Sequence, residues 1–316
     1  MRKKLDSLKP GTCLDGYKLE KPLGGGGFSV VYLARNLRDN KRVVIKEYIP
    51  NRLACRANNG NVQARDESTE ALFVRGRKLF FQEASALATL KHPNIVDVFS
   101  FFQANGTVYM VMKYEPGENL QHYLQSRRGK GLSERFLRTV FPPLLDGLEL
   151  IHNNDLLHLD IKPGNIHICH GGRPLLLDFG AVHGHSRSPH EQPGKVISTG
   201  FSPNEQYENQ GSVGPWTDLY ALGATMRACI EGHAPMDAKR RRERDALKPA
   251  QFAWRGRYED NLLRAIDWAM EVDPERRPQS VSAFRAALTA DTRPEPKPIR
   301  SAINWLTNTL LGRSSS

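Results

Sequence analysis

The chain has 316 residues, of which 39% are apolar and 25% charged, with a formal net charge of +11. It is long enough to bury a sizeable core in one large domain or two lobes, and its make-up is that of an ordinary soluble globular protein. No run approaches the roughly 18 consecutive apolar residues of a membrane-spanning helix, and four scattered cysteines with no C-x-x-C pair exclude a disulfide framework.

The positive charge is clustered. Lys239-Arg240-Arg241-Arg242-Glu243-Arg244 is the densest run, ahead of Arg75-Gly76-Arg77-Lys78 and the stretch from Arg127 to Lys130. Such runs dock acidic segments, anionic lipid or nucleic acid, or form solvated loops that keep a protein dispersed. No aromatic residue interleaves with Arg240 to Arg244, which speaks against a single-strand stacking platform. A solvated loop is the preferred reading, and no specific nucleic acid is expected. Cys169 lies between His167 and His170, but no second ligand cluster follows to complete a metal site. Met1-Arg2-Lys3-Lys4 is positive without the apolar core of a signal peptide, so a cytoplasmic location is expected.

In chain order, residues 1–16 are polar and read as an arm before the first strand. Tyr17 to Leu23, Gly24-Gly25-Gly26-Gly27-Phe28 and Ser29 to Leu33 describe a hairpin whose glycine turn lets backbone approach a phosphate closely. Val43-Val44-Ile45-Lys46 is an apolar strand, where an unpaired ammonium is costly, so Lys46 requires a carboxylate partner. The next amphipathic helix, about Leu79 to Leu90, repeats Phe80, Ala84, Leu87 and Leu90 at helical spacing and carries Glu83 beside that face. Residues 47–82 look loop-like through Asn58-Asn59-Gly60-Asn61 and Asp66-Glu67-Ser68-Thr69. A regulatory element and a passive insertion are equally good readings of that stretch. Val96 to Phe102 and Val108 to Tyr114 alternate as strands across Ala104-Asn105-Gly106. Helices are predicted at Glu118 to Arg127 and Leu132 to Asn153, the second with Val140, Leu144, Leu148 and Ile151 in an apolar stripe.

His158-Leu159-Asp160-Ile161-Lys162-Pro163-Gly164-Asn165, then Leu177-Asp178-Phe179-Gly180, bring a carboxylate, an ammonium, an amide and a second carboxylate into one short span. Transfer from a nucleoside triphosphate needs that set: a base for the hydroxyl, a cation for the moving phosphoryl, and oxygen ligands for Mg²⁺. Here the chain resembles the protein-kinase family, whose catalytic loop reads H-R-D-x-x-x-x-N and whose metal loop reads D-F-G. The glycine hairpin resembles the family's L-G-x-G-x-F-G-x-V. Met112-Lys113-Tyr114-Glu115 is similar to its interlobe hinge, and Ser198 to Tyr207 to its substrate-binding segment.

The resemblance implies an α+β, two-lobed protein-kinase fold over 17–290, with a small antiparallel N-lobe (17–113) and a larger helical C-lobe (116–290). It implies that Lys46 and Glu83 position ATP, that Gly24, Gly25, Gly26, Gly27, Phe28, Val31 and Val44 enclose it, and that Met112 to Glu115 meet the adenine edge. Asp160 becomes the base, Lys162 the cation for the γ-phosphoryl, and Asn165 and Asp178 the ligands of Mg²⁺ or Mn²⁺. A lysine two residues after the aspartate is the serine/threonine pattern. Thr199 is then expected on Asp160, Glu205 on Arg277, and Asp218 beneath the catalytic-loop backbone. Protein substrates, autophosphorylation through self-association and a bacterial relationship follow from the same resemblance. Ser186, Ser188 and Ser198 are the candidate modified residues.

Three positions depart from the pattern. Ser29 replaces the third glycine, Leu159 replaces the arginine that in many kinases grips an activation-segment phosphate, and His167 replaces an aliphatic floor under adenine. Residues 291–298 form a proline-rich linker. Ile299, Ala302, Ile303, Leu306, Leu310 and Leu311 then mark an amphipathic helix that docks on its own domain, on a partner or at a membrane surface. A pseudokinase scaffold and a small-molecule kinase of the aminoglycoside type remain the alternatives.

Overall fold

The computed structural model describes residues 6–127, 129–178, 183–184, 197–208 and 211–290, with the Glu83 side chain outside the description. The metal-loop residues Phe179 and Gly180, the serines at 186 and 188, and the whole of 291–316 therefore lie outside it.

A six-stranded antiparallel sheet opens the chain. It is built from β1 (Cys13–Leu14), β2 (Tyr17–Gly25), β3 (Ser29–Asn36), β4 (Arg42–Tyr48), β7 (Val98–Ala104) and β8 (Thr107–Lys113), in the order β1-β2-β3-β4-β8-β7. The expected arm before Tyr17 is thus partly sheet, because Cys13 and Leu14 pair with Lys18 and Tyr17. β7 and β8 turn through Asn105 and Gly106, both at positive φ (48° and 70°), as a tight hairpin requires.

Residues 47–82 are not the loop that their polar composition suggests. They form a small hairpin, β5 (Ala54–Arg56) with β6 (Val62–Ala64), and then the first four turns of α1 (Glu67–Thr89). The helix starts at Glu67, well before Leu79, because Asp66 caps it. The Asp66 carboxylate accepts from the Thr69 N–H, and the Thr69 hydroxyl accepts from the Asp66 N–H.

Strand alternation gives the sheet two faces. Tyr48, on the Lys46 side of β4, stacks on Phe73 of α1 at a ring distance of 6.0 Å and meets Phe80 at a tilt at 5.5 Å. On the other side, Glu47 is fully buried and accepts from the Tyr32 hydroxyl at 2.7 Å, the Tyr109 hydroxyl at 2.5 Å and Arg56 at 2.6 and 3.1 Å. Arg56 also holds the arm, donating from its guanidinium to the Asp6 carbonyl and from its backbone N–H to the Asp6 carboxylate. Burial, with the Glu47 carboxylate beside them, pushes both phenols far above their ordinary range, so they remain donors. The insertion and the arm therefore close the sheet face opposite α1. Nothing in the sequence marked Glu47 or Arg56 for this role. Replacing Arg56 by Met should cost about 3 to 5 kcal/mol in urea unfolding, since it strips a buried carboxylate of the cation that pairs with it among the described residues. A loss under about 1 kcal/mol, typical of an exposed pair, would show that the network is incidental.

The remaining chain is mostly helical. β9 (Gly117–Asn119) leads to α2 (Leu120–Ser126), capped by Asn119, and to α3 (Glu134–Asn153), capped by Ser133, both shorter at their starts than predicted. The α3 stripe Leu137, Val140, Phe141, Leu144, Leu148 and Ile151 is buried. β10 (Leu156–Leu157) pairs with β13 (His183–Gly184), and β11 (Ile166–Cys169) pairs with β12 (Pro174–Leu176) and with β9. Then come α4 (Asn204–Tyr207), α5 (Pro215–Glu231), α6 (Ala238–Glu243), α7 (Ala250–Ala253), α8 (Asp260–Ala269) and α9 (Val281–Thr289). α5 is buried along nearly its whole length and forms the centre on which the catalytic loop rests. Among the described residues no helix is long and apolar enough to cross a membrane.

Candidate active site

The loop between β10 and β11 is fixed from below. The Asp218 carboxylate on α5, fully buried, accepts from the His158 N–H at 2.9 Å, the Leu159 N–H at 2.7 Å and His152 Nε2 at 2.9 Å. Burial alone would raise its pKa. The donors, led by His152, reverse the sign and hold it below the usual carboxylate range. Leu159 has φ 58°, a conformation that costs a branched side chain roughly 1–2 kcal/mol. The two Asp218 bonds and the Gln206 amide, donating to the Leu159 carbonyl at 2.7 Å, hold that strain in place. The Leu159 side chain is buried with Leu157 and Val213, so the site where the family carries arginine is filled by hydrocarbon.

This geometry presents Asp160 upward, 7% exposed. Its carboxylate accepts from Lys162 Nζ at 2.9 and 2.8 Å, from Asn165 Nδ2 at 2.8 Å and from the Ser198 hydroxyl at 2.8 Å. Lys162 also donates to Ser198 Oγ at 2.9 Å. The hydroxyl on Asp160 is therefore that of Ser198 and not of Thr199, a correction of one residue. Ser198 closes a turn, its carbonyl accepting from the Phe201 and Ser202 N–H groups. Gly200 takes φ 85°, with the Pro235 carbonyl 2.7 Å from where a Cβ would stand, and Thr199 is left exposed at the tip. Ser198 is correspondingly a part of the site rather than a free loop serine. Further on, Glu205 and Arg277 pair at 2.6 and 3.2 Å, as the resemblance implies.

Lys46 reaches the same cleft from β4. It is 4% exposed, lies 5.6 Å from the Phe80 ring centre and bonds the Asp178 carboxylate. Asp178 would rise on burial, but the Lys46 charge and hydrogen bond, helped by Lys162, hold it below its ordinary value. Glu83 lies on α1, three residues after Phe80, which packs beside Lys46. Val31 faces Lys46 across β3 and β4, and Val44 faces Met112 across β4 and β8, so these side chains share the cleft face. Gly24, Gly26 and Gly27 have open space where a Cβ would stand. Gly27 and Phe28 are tied to the end of β4, their carbonyls accepting from the Asn51 and Ile49 N–H groups. Ser29 is 8% exposed at the start of β3.

At the hinge, the Glu115 carboxylate is gripped by Lys113 at 2.8 Å and Arg173 at 3.0 Å. Its carbonyl is taken by His167 Nε2 at 3.0 Å, which narrows the expected adenine contact to the Glu115 N–H. That N–H donates to no atom among the described residues. Tyr114 sits beside it, half-buried. The His167 ring, half-buried on β11, is kept neutral by burial, which lowers its pKa, and its polar edge has found the partner that position demands.

The donor chemistry fits a divalent metal and a triphosphate. Asn165 uses its amide nitrogen on Asp160, so its oxygen, the atom a hard cation binds, is left over. Asp178 offers a second oxygen ligand, Lys46 a phosphate cation, and the glycine turn an open cradle.

His158, fully buried, packs between these parts. Its Nε2–H donates to the Leu177 carbonyl at 3.1 Å, and Nδ1 accepts from the Asp160 N–H at 3.3 Å. The bond accepted at Nδ1 requires the neutral ring, and burial depresses its pKa accordingly. The unfolded chain, with a histidine pKa of about 6.5, then binds the proton that the folded one refuses. Stability is full above that value and is lost as pH falls through the folded pKa. Urea midpoints should therefore drop between about pH 7 and 5, before carboxylates titrate, and a His158→Gln variant should show a shallower drop. An unchanged slope would remove His158 as the cause.

Residues 17–288 match the family described as protein kinase domain, and the chain belongs to that family. Serine/threonine-protein kinase D of Synechocystis is 30% identical over 87% of this chain and 52% of its own length. PrkC of Bacillus subtilis is 24% identical over 86% of this chain and 40% of its own. The chain thus spans about half or less of these curated relatives. The solved structure of PpkA-294 in its apo form superposes with a TM-score of 0.77 at 34% identity, covering 90% of this chain and all of that one. The PknI kinase domain of Mycobacterium tuberculosis, at 23% identity and TM-score 0.66 over 89% of this chain and 98% of that one, shares the fold. The sheet-built N-terminal part and helical C-terminal part are the two lobes of the protein-kinase fold.

Proposed function

We propose that this chain transfers the γ-phosphoryl group of ATP to a serine or threonine hydroxyl of a protein, with Mg²⁺ as the divalent metal. The observation that carries the reading is the Ser198 hydroxyl, held between the Asp160 carboxylate and the Lys162 ammonium. A substrate hydroxyl in that place would be oriented by Asp160, which receives its proton, while Lys162 faces the phosphoryl oxygens. Asn165 and Asp178 would hold the metal, which neutralises the phosphates when bound. Lys46, with Glu83 on α1 as its second partner, would align the triphosphate. Val31, Val44, Met112 and His167 would enclose the adenine, and the Glu115 N–H would meet its edge. The kinase unit is taken as 17–290, with lobes at 17–113 and 116–290. The four cysteines are free thiols, which supports a reducing, cytoplasmic setting.

Labelled-phosphate transfer should distinguish the alternatives. Label from γ-labelled ATP is expected on protein serine or threonine, lost on chelation of Mg²⁺. Label on aminoglycosides but on no protein would favour the small-molecule reading, and nucleotide binding without transfer to either would favour the scaffold.

A further inference from the structure

The basic run 239–244 is not the solvated loop that its composition suggests. Residues Ala238–Glu243 are α6, and the helix divides the charges. Arg241 turns inward, 8% exposed, donating to the Met270 carbonyl at 2.6 Å and pairing with Asp245 at 2.9 Å. Lys239, Arg240, Arg242 and Arg244 remain outside. Arg242 pairs with Glu208, and Lys239 lies over the Tyr207 ring at 4.5 Å. Arg240 and Arg244 have no carboxylate partner among the described residues. Between α4 and α6 runs an open groove of about 580 Å³, lined by Asn204, Tyr207, Glu208, Lys239, Arg242 and Glu243. In the groove Lys239 and Arg242 balance Glu208 and Glu243, and the excess positive charge comes from Arg240 and Arg244, exposed on α6 and just beyond it, outside the groove lining.

The groove is joined to the reacting centre by its own wall. The segment that begins with Ser198 on Asp160 ends in α4, and Gln206 within it bonds the Leu159 carbonyl. Tyr207 stands nine positions after Ser198, so the groove lies at most about 30 Å from Asp160 along an extended chain. A bound polypeptide of similar length spans that distance. We propose that the cationic ridge of α6 and the adjoining groove engage an acidic segment of the protein substrate, Glu- or Asp-rich and within about nine residues of the acceptor hydroxyl. This rests on the protein-kinase reading and adds to it the class of sequence selected.

The test compares threonine peptides carrying a four-Glu run, placed on either side of the acceptor, with the same peptides carrying four Gln. The expected result is a KM lower by about fivefold to tenfold for a Glu peptide, as a few exposed ion pairs deliver, with kcat unchanged and the advantage fading in high salt. The K239Q/R240Q/R244Q variant should lose that preference while phosphorylating the Gln peptide as the wild type does. The K18Q/K21Q/R38Q variant removes the same charge from the N-lobe surface and should keep the preference. Binding of fluorescein-labelled Glu peptide, read by anisotropy, should follow the same order. Equal KM values in both placements, or a preference lost equally in both variants, overturns the proposal. So does loss of binding to phosphatidylserine vesicles by the α6 variant with no change toward peptides, which would make the ridge a lipid surface. Selective peptide binding without phosphate transfer upholds the ridge and fails the kinase reading instead.

Discussion

Asp160→Asn should lower kcat for protein phosphorylation by about a thousandfold, within the range a positioned general base supplies, while nucleotide affinity stays close to the wild-type value. The side chain keeps its shape, so the loop should fold. What changes is the donor and acceptor balance. Two carboxylate oxygens now accept from Lys162, Asn165 and Ser198. An amide offers one oxygen and sets an N–H₂ against donors, so neither the hydroxyl nor the ammonium retains its place. Single-turnover phosphate transfer, with ATP-analogue binding measured in parallel, checks both halves. A loss below tenfold would mean that Asp160 is not the base.

The second large effect falls on stability. Arg277 and Glu205 are 0% and 5% exposed in their side chains, and the guanidinium also donates to the Glu271 and Val272 carbonyls and stacks over Tyr220 at 4.7 Å. Arg277→Ala leaves a buried carboxylate with the Thr217 hydroxyl as its described side-chain donor, and should cost about 3 to 5 kcal/mol. Replacing both partners, Glu205→Leu with Arg277→Met, should recover a good part, since no charge is then stranded. Chemical unfolding of the three proteins measures this. A double variant as unstable as the single one would show that packing, not charge, dominates.

The active centre was legible because its chemistry lies in short runs. Asp160, Lys162 and Asn165 occupy one loop, and Asp178 follows a single hairpin. Their meeting with Lys46 was recoverable only through resemblance, since it joins positions 132 residues apart. The failures have local causes. Asp66-Glu67-Ser68-Thr69 was read by polarity as a loop, although Asp followed by Thr three residues on is also the start of a capped helix. The choice between Ser198 and Thr199 depended on a left-handed glycine next door that residue type alone does not fix in register. Glu47 stayed hidden because its partners come from β3, β5 and β8, and no sequence period links them.

The hydrocarbon at position 159 has a further consequence. Arginine there would be screened by salt over a length of about 8 Å at physiological ionic strength, whereas the contact of Leu159 with Leu157 and Val213 carries no charge to screen. That one contact of the catalytic loop should thus be indifferent to dissolved ions, held by exclusion of water in place of a tether that counter-ions can loosen.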